Sequence, residues 1–247
     1  MNHAKWIARF SRNRGNRLEP DWTEPMTVSP EVLAPLTKSI EQFRLGDGGG
    51  PAALIAYDAE GFRNSSQEMR AIVDMWFAEE AEHARLLGCA VKRFNGRYIS
   101  SHWSFTAFCM CRRIIGVRFE LQVLLLTELV STAYYKLLRN HSPDAALTAM
   151  CELILRDEAG HVAFHRDRLM DSSATGLRGM LWEAQFCLLG YAAGTMLWVN
   201  HGPALKAIGG SGVEYFREVG RQLRRFIFSL RRSPAPVGIK AKWAVAR

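Results

Sequence analysis

Apolar residues along the chain recur at steps of three and four, in long runs free of breakers, which is the spacing of one helix face. After Ser29-Pro30, a pair suited to a cap and a first helical position, Leu36, Ile40 and Phe43 form one stripe whose next position is Asp47. Pro35 is expected to delay the regular part of this helix. A second helix follows Ser65 and Glu68, which have the spacing of a capping box, and its stripe is Met69, Ile72, Trp76, Glu80, His83 and Leu87. An aromatic and cysteine-rich connection over 98–111 leads to a third helix at about 112–139. Its stripe runs through Val117, Leu121, Leu124, Glu128, Thr132 (or Ser131) and Tyr135. Ser142-Pro143 opens a fourth helix to about 170, with Leu147, Cys151, Ile154, Glu158, His161, His165 and Leu169 in line. A very apolar helix at about 176–199 and a last one at about 211–231 complete the pattern. The β-branched residues come singly within helical periods, so the expected fold is all-α.

Composition adds organisation. A chain of 247 residues can hold one substantial core. The run GDGGG at 46–50 is too short for a linker and reads as a turn or a helix defect. We expect a basic, largely irregular segment at 1–28, one helical domain over 29–231 and a basic tail at 232–247. The net charge of +8 is carried by the ends, +5 over residues 1–17 and +7 over 214–247, which leaves the body near −4. Such ends suit contact with nucleic acid, an anionic membrane or an acidic partner, or serve as solubilising tails. Five cysteines without a CxxC pair fit free thiols in a reducing, cytoplasmic compartment rather than a disulfide framework. No apolar stretch at the N-terminus resembles a signal peptide. The longest apolar run, 14 residues at 186–199, falls short of a bilayer span, so any membrane association is expected to be peripheral.

The chemistry lies within the stripes. A carboxylate in the middle of an apolar face must be paired, protonated or bound to a metal, because an uncompensated buried charge is very costly. Three helices each place one there, at Glu80, Glu128 and Glu158. Two of these are followed three residues later by histidine, His83 and His161, on the same face. Two Glu-x-x-His pairs with single carboxylates from two further helices make a dimetal site in a bundle core. Oxygen and nitrogen donors without thiolate suit iron or manganese. A buried salt-bridge network through Arg85, Arg118 or Arg156 is the competing reading.

These motifs resemble the ferritin-like di-iron superfamily, which includes rubrerythrins, ferritins, ribonucleotide reductase small subunits and bacterial multicomponent monooxygenases. Locally, FAEEAEHARLLG, LLLTELVSTAYY and CELILRDEAGHVAFH look like a little-characterised bacterial family of ferritin-like proteins, over about residues 40–170. The resemblance implies a four-helix bundle at about 36–170 with additional C-terminal helices at about 176–231. It also implies two iron ions, with manganese or a mixed pair as the alternative. Glu80, His83, Glu128, Glu158 and His161 would be ligands, and Asp47, in FRLGDGGG, would be the ligand of the first helix. Glu41, Asp58 and Glu60 are the reserves for that last place, and Pro51 implies a kink or an end of the helix there. In di-iron relatives an acid directly before the motif glutamate orients the opposite histidine through its Nδ1–H. On that pattern Asp157 pairs with His83 and Glu79 with His161. His165 would be a further ligand, a proton relay or a core histidine, and Tyr135 an electron or hydrogen-bond donor or a core tyrosine. Trp76 reads as core filling.

Such a site is expected to activate dioxygen as an oxidase or monooxygenase of a small organic substrate, with Trp76, Phe77, Leu124 and the glycine-rich fifth helix lining a pocket. It would draw on an electron-donor protein, and a homodimer is compatible with it. A ferroxidase or peroxidase, a tRNA hydroxylase and a non-enzymatic scaffold with a degenerate site are the alternatives. A rubrerythrin-type centre lacks its CxxC pair here.

Overall fold

The computed structural model of the chain describes residues 1–48, 54–63, 65–170 and 176–231, and among these every regular element is helical. The helices are α1 (His3–Gly15), α2 (Pro30–Gly48), α3 (Ala59–Arg63), α4 (Gln67–Arg93), α5 (Trp103–Ile114), α6 (Val117–His141), α7 (Ala145–Met170), α8 (Gly176–Ala207) and α9 (Gly212–Arg231). The long helices follow from the apolar stripes, and their ends follow from capping chemistry that differs in places from the sequence reading. Ser66, not Ser65, caps α4 by accepting the Met69 N–H. Asp144, rather than Ser142-Pro143, caps α7 through the Leu147 N–H at 3.0 Å. Pro35 is carried inside α2, and α8 continues past Pro203 to Ala207, eight residues beyond the expected end. The expected loose connection at 98–111 is mostly helix, as α5. Ile115 and Gly116 separate α5 from α6, and Gly116 sits at φ 102°, a conformation that favours glycine. The Asp58 carboxylate caps α6 beside it, at 2.6 Å from the Val117 N–H.

The helix α2 lies along α4, α6 lies along α7, and α4 also meets α7, so four long helices share one core. The helices α8 and α9 pack on each other and on α6. The N-terminal segment is more regular than expected. Asn2 caps α1 by accepting the Lys5 N–H, and Trp6 and Phe10, one turn apart, bury themselves against Phe164 of α7. Burying Phe10 alone contributes about 1.5–3 kcal/mol toward holding a basic helix on the body. Gly160 makes room for it, since a Cβ there would collide with the Arg9 guanidinium. No helix among the described residues is long and apolar enough to cross a membrane.

The apolar core divides into two clusters. One contains Leu36, Leu87, Leu129 and Ile154, and the other contains Trp6, Ile72, Trp76, Leu124 and Phe164. Along α4 and α7 the residues of the Glu-x-x-His motifs fall in the interval between them. The polar gap in each stripe is therefore a shared layer of the fold.

Candidate metal centre

Four helices contribute to this layer: α2 through Asp47, α4 through Glu80 and His83, α6 through Glu128, and α7 through Glu158 and His161. Carboxylate and imidazole atoms of Asp47, Glu80 and His83 lie within 4.8 Å of one another, as do those of Glu80, Glu128 and His161. Glu80 belongs to both groups. Glu158 completes the middle, with Oε1 4.0 Å from His83 Nδ1 and Oε2 3.7 Å from His161 Nδ1. The two motif glutamates thus stand between the histidines, with Asp47 on the His83 side and Glu128 on the His161 side. The reserves lie elsewhere. Glu41 accepts the Arg97 N–H, Asp58 caps α6, and Glu60 is exposed. Asp47 sits in the last turn of α2, and Pro51 falls outside the described residues.

Both histidines are fully buried and anchored from behind. His83 Nε2 meets Asp157 Oδ2 at 3.1 Å, and His161 Nε2 meets Glu79 Oε2 at 2.9 Å, the pairings expected from the motif. The ring orientation differs from the expectation, because Nε2 faces the acid and Nδ1 faces the carboxylate layer. Nδ1 is the nitrogen nearer the helix, within reach of the glutamate one turn back, while Nε2 extends across to the neighbouring helix. An ionised acid only accepts, so it keeps an imidazole proton on Nε2, and Nδ1 is the nitrogen that would be offered to a metal.

Behind these acids stands a group that the sequence reading missed. Asn13 of α1 donates to Glu79 at 2.7 Å and to Asp157 at 2.6 Å, and Arg17 donates to Asp157 at 2.5 Å. The available signal was the Trp6–Phe10 spacing, which marks a docking face on an otherwise basic segment. Trp76 also does more than fill the core: its Nε1–H is shared between Glu80 at 3.1 Å and Glu128 at 3.2 Å.

Like charges crowded in a dry layer set the protonation. Burial, then the charge of Glu80, raises the Asp47 pKa well above its ordinary value. Burial, then Glu128, does the same to Glu158. Burial also acts to raise Glu80, but hydrogen bonds and charge from His161 and His83 outweigh it and hold this carboxyl low. For both histidines burial opposes the charged form. The hydrogen bonds to Asp157 and Glu80 overcome it at His83, and Glu128 does so at His161, so both are raised. Asp157 is held low against its burial by His83, Asn13 and Arg17.

The fit to a pair of divalent cations rests on the donors themselves. His83 Nδ1 and Glu158 Oε2 are buried in the layer with no hydrogen-bond partner in the protein. The carboxylates of Asp47, Glu80, Glu128 and Glu158 and two imidazoles, with no cysteine among them, suit iron or manganese. Neither of the two extra candidates joins these groups. His165 stands edge-on to Trp76 at 4.8 Å and accepts from Arg168 at 3.2 Å, with its pKa pushed well down by burial and the Arg168 charge. Tyr135 is buried with its hydroxyl unpaired, and burial together with the charge of Asp47 keeps the phenol protonated.

Beside the layer lies a cavity of about 400 Å³ to which Asp47, Glu80, Glu128 and Glu158 contribute. Phe43, Trp76, Phe77, Leu124 and Leu197 give it apolar walls. The helix α8 lines it through Ala193, Met196 and neighbours, whereas Gly190 and Gly194 face α9: Gly190 abuts Leu223 and Gly194 abuts Val219. Comparison of the chain with protein-family models, with curated proteins and with solved structures returns no match.

Proposed function

We propose that the chain is a ferritin-like dimetal carboxylate protein that uses dioxygen to oxidise a small organic substrate held in the adjoining cavity. The observation that carries this reading is the pair of buried histidines, each braced at Nε2 by an acid and both presenting Nδ1 to Glu80 and Glu158. Asp47 and His83 would hold one ion, Glu128 and His161 the other, with Glu80 and Glu158 between them. Bound iron would supply electrons to dioxygen and polarise it. The chain's own part is to fix both rings, to keep the layer dry under Trp76 and Phe43, and to hold an apolar molecule beside the carboxylates. The apolar cavity favours an organic substrate over ferrous iron as the species oxidised.

The test is anaerobic reconstitution with Fe(II), expected to give close to two iron atoms per chain. Glu80→Ala and Glu158→Ala should each abolish iron-dependent oxygen consumption while helix content is retained. A folded wild-type chain that takes up no iron would remove the reading.

A further inference from the structure

The cavity has a second polar place, away from the carboxylates. Gln42 on α2 and His201 on α8 both line it, and each is only 8% exposed. Gln42 stands five residues before Asp47, about 7.5 Å along the helix axis. Its Oε1 is buried with no hydrogen-bond partner in the protein. The His201 ring is fixed: Nδ1 bonds the Ser39 hydroxyl at 2.9 Å, Ser39 in turn bonds Tyr134 at 2.7 Å, and Phe43 packs against the ring at 4.2 Å. Among the described residues no hydrogen bond engages Nε2. The other polar side chains of the wall are engaged. His102 and Ser104 bond each other, Arg112 pairs with Glu120, and Thr127, Ser131 and Asn200 donate to backbone carbonyls of their own helices.

We propose that Gln42 and His201 form an anchor for an uncharged oxygen-bearing end, a hydroxyl or carbonyl, of an otherwise apolar substrate whose body extends toward the carboxylate layer. Both groups can donate and accept, which matches a hydroxyl. Neither offers a counter-charge, and Arg112 is already neutralised, so an ionic end would be desolvated without compensation. Burial pushes the His201 pKa down to about 3, which keeps the ring neutral. A cavity of about 400 Å³ is in the size range of small-molecule sites. The anchor rests on the metal-centre reading only for what the far end of the molecule meets.

Calorimetric titration of the metal-free protein with 1-decanol and with decanoate tests the anchor directly. The wild type should bind the alcohol at least ten-fold more tightly than the carboxylate. Gln42→Leu should lose at least ten-fold in alcohol affinity. His201→Phe, which keeps a ring against Phe43, should do the same and covers the case in which the first variant does not fold. Equal binding of the two probes, or variants that bind 1-decanol as the wild type does, would overturn the proposal. Iron content measured on the same preparations separates the two readings. Alcohol selectivity without iron uptake keeps the anchor and removes the metal centre, and two irons per chain without selectivity removes the anchor.

Discussion

Asp157→Asn changes one atom type in a side chain that is fully buried, and it reverses the logic of His83. In the wild type the ionised Asp157 accepts three bonds, from Asn13, Arg17 and His83 Nε2. The asparagine has one acceptor oxygen, and the donors of Asn13 and Arg17 compete for it. Its amide nitrogen is then turned to His83 and donates to Nε2, which forces the imidazole proton onto Nδ1, the atom that faces Glu80 and Glu158. Loss of such a supporting partner typically weakens metal binding about 10–100-fold, or about 1.4–2.7 kcal/mol. The Arg17 side chain is 14% exposed and loses its hydrogen-bonded carboxylate, keeping only Glu82 at 3.7 Å, so folding should weaken by about 1.5–3 kcal/mol as well. Arg17→Ala separates the two effects, because it removes the ion pair and leaves the Asp157–His83 bond in place. The expected result is reduced stability in both variants by urea denaturation, with iron affinity lost in Asp157→Asn and within about three-fold of wild type in Arg17→Ala. An Asp157→Asn protein that binds two irons at wild-type affinity would refute the orientation argument.

Two further outcomes follow from groups outside the ligand set. The folded-state pKa of His201 is lowered to about 3, below its unfolded value of about 6.5, so the unfolded chain binds the extra proton between these limits. The contribution of His201 is fully present above about pH 6.5 and is lost as pH falls toward 3, by about 2 kcal/mol between pH 7 and pH 5. His201→Asn should flatten that part of the urea-measured pH profile, and a wild-type slope unchanged by the substitution would contradict it. On α8, a Cβ at Gly190 would stand 2.6 and 2.9 Å from the Leu223 methyls, whereas one at Gly194 would meet Val219 at 3.4 Å. Gly190→Ala should therefore destabilise by about 1–3 kcal/mol, while Gly194→Ala should be near neutral or stabilising by up to about 1 kcal/mol. Equal thermal midpoints for the two variants would show that the α8–α9 approach is not as tight as described.

The six residues of the carboxylate and imidazole layer were legible because helix periodicity is local. A glutamate three or four positions from apolar neighbours is inward-facing whatever the rest of the chain does, and a histidine three residues on shares its face. Periodicity did not pair Glu79 and Asp157 with the histidines; only the resemblance did, since an acid one position off the stripe reads equally as solvent-exposed. What folding alone decided depends on contacts between distant segments. Asn13 reaches Asp157 across 144 residues, on a short basic helix whose polar residues read as solvated until Trp6 and Phe10 dock it. Which imidazole nitrogen faces the centre depends on where the neighbouring helix puts its acid. Gln42, eclipsed in the sequence by Asp47, matters only because α8 brings His201 into the same cavity wall. Spacing along one helix fixes which side chains point inward; the packing of helices against each other fixes what those side chains meet.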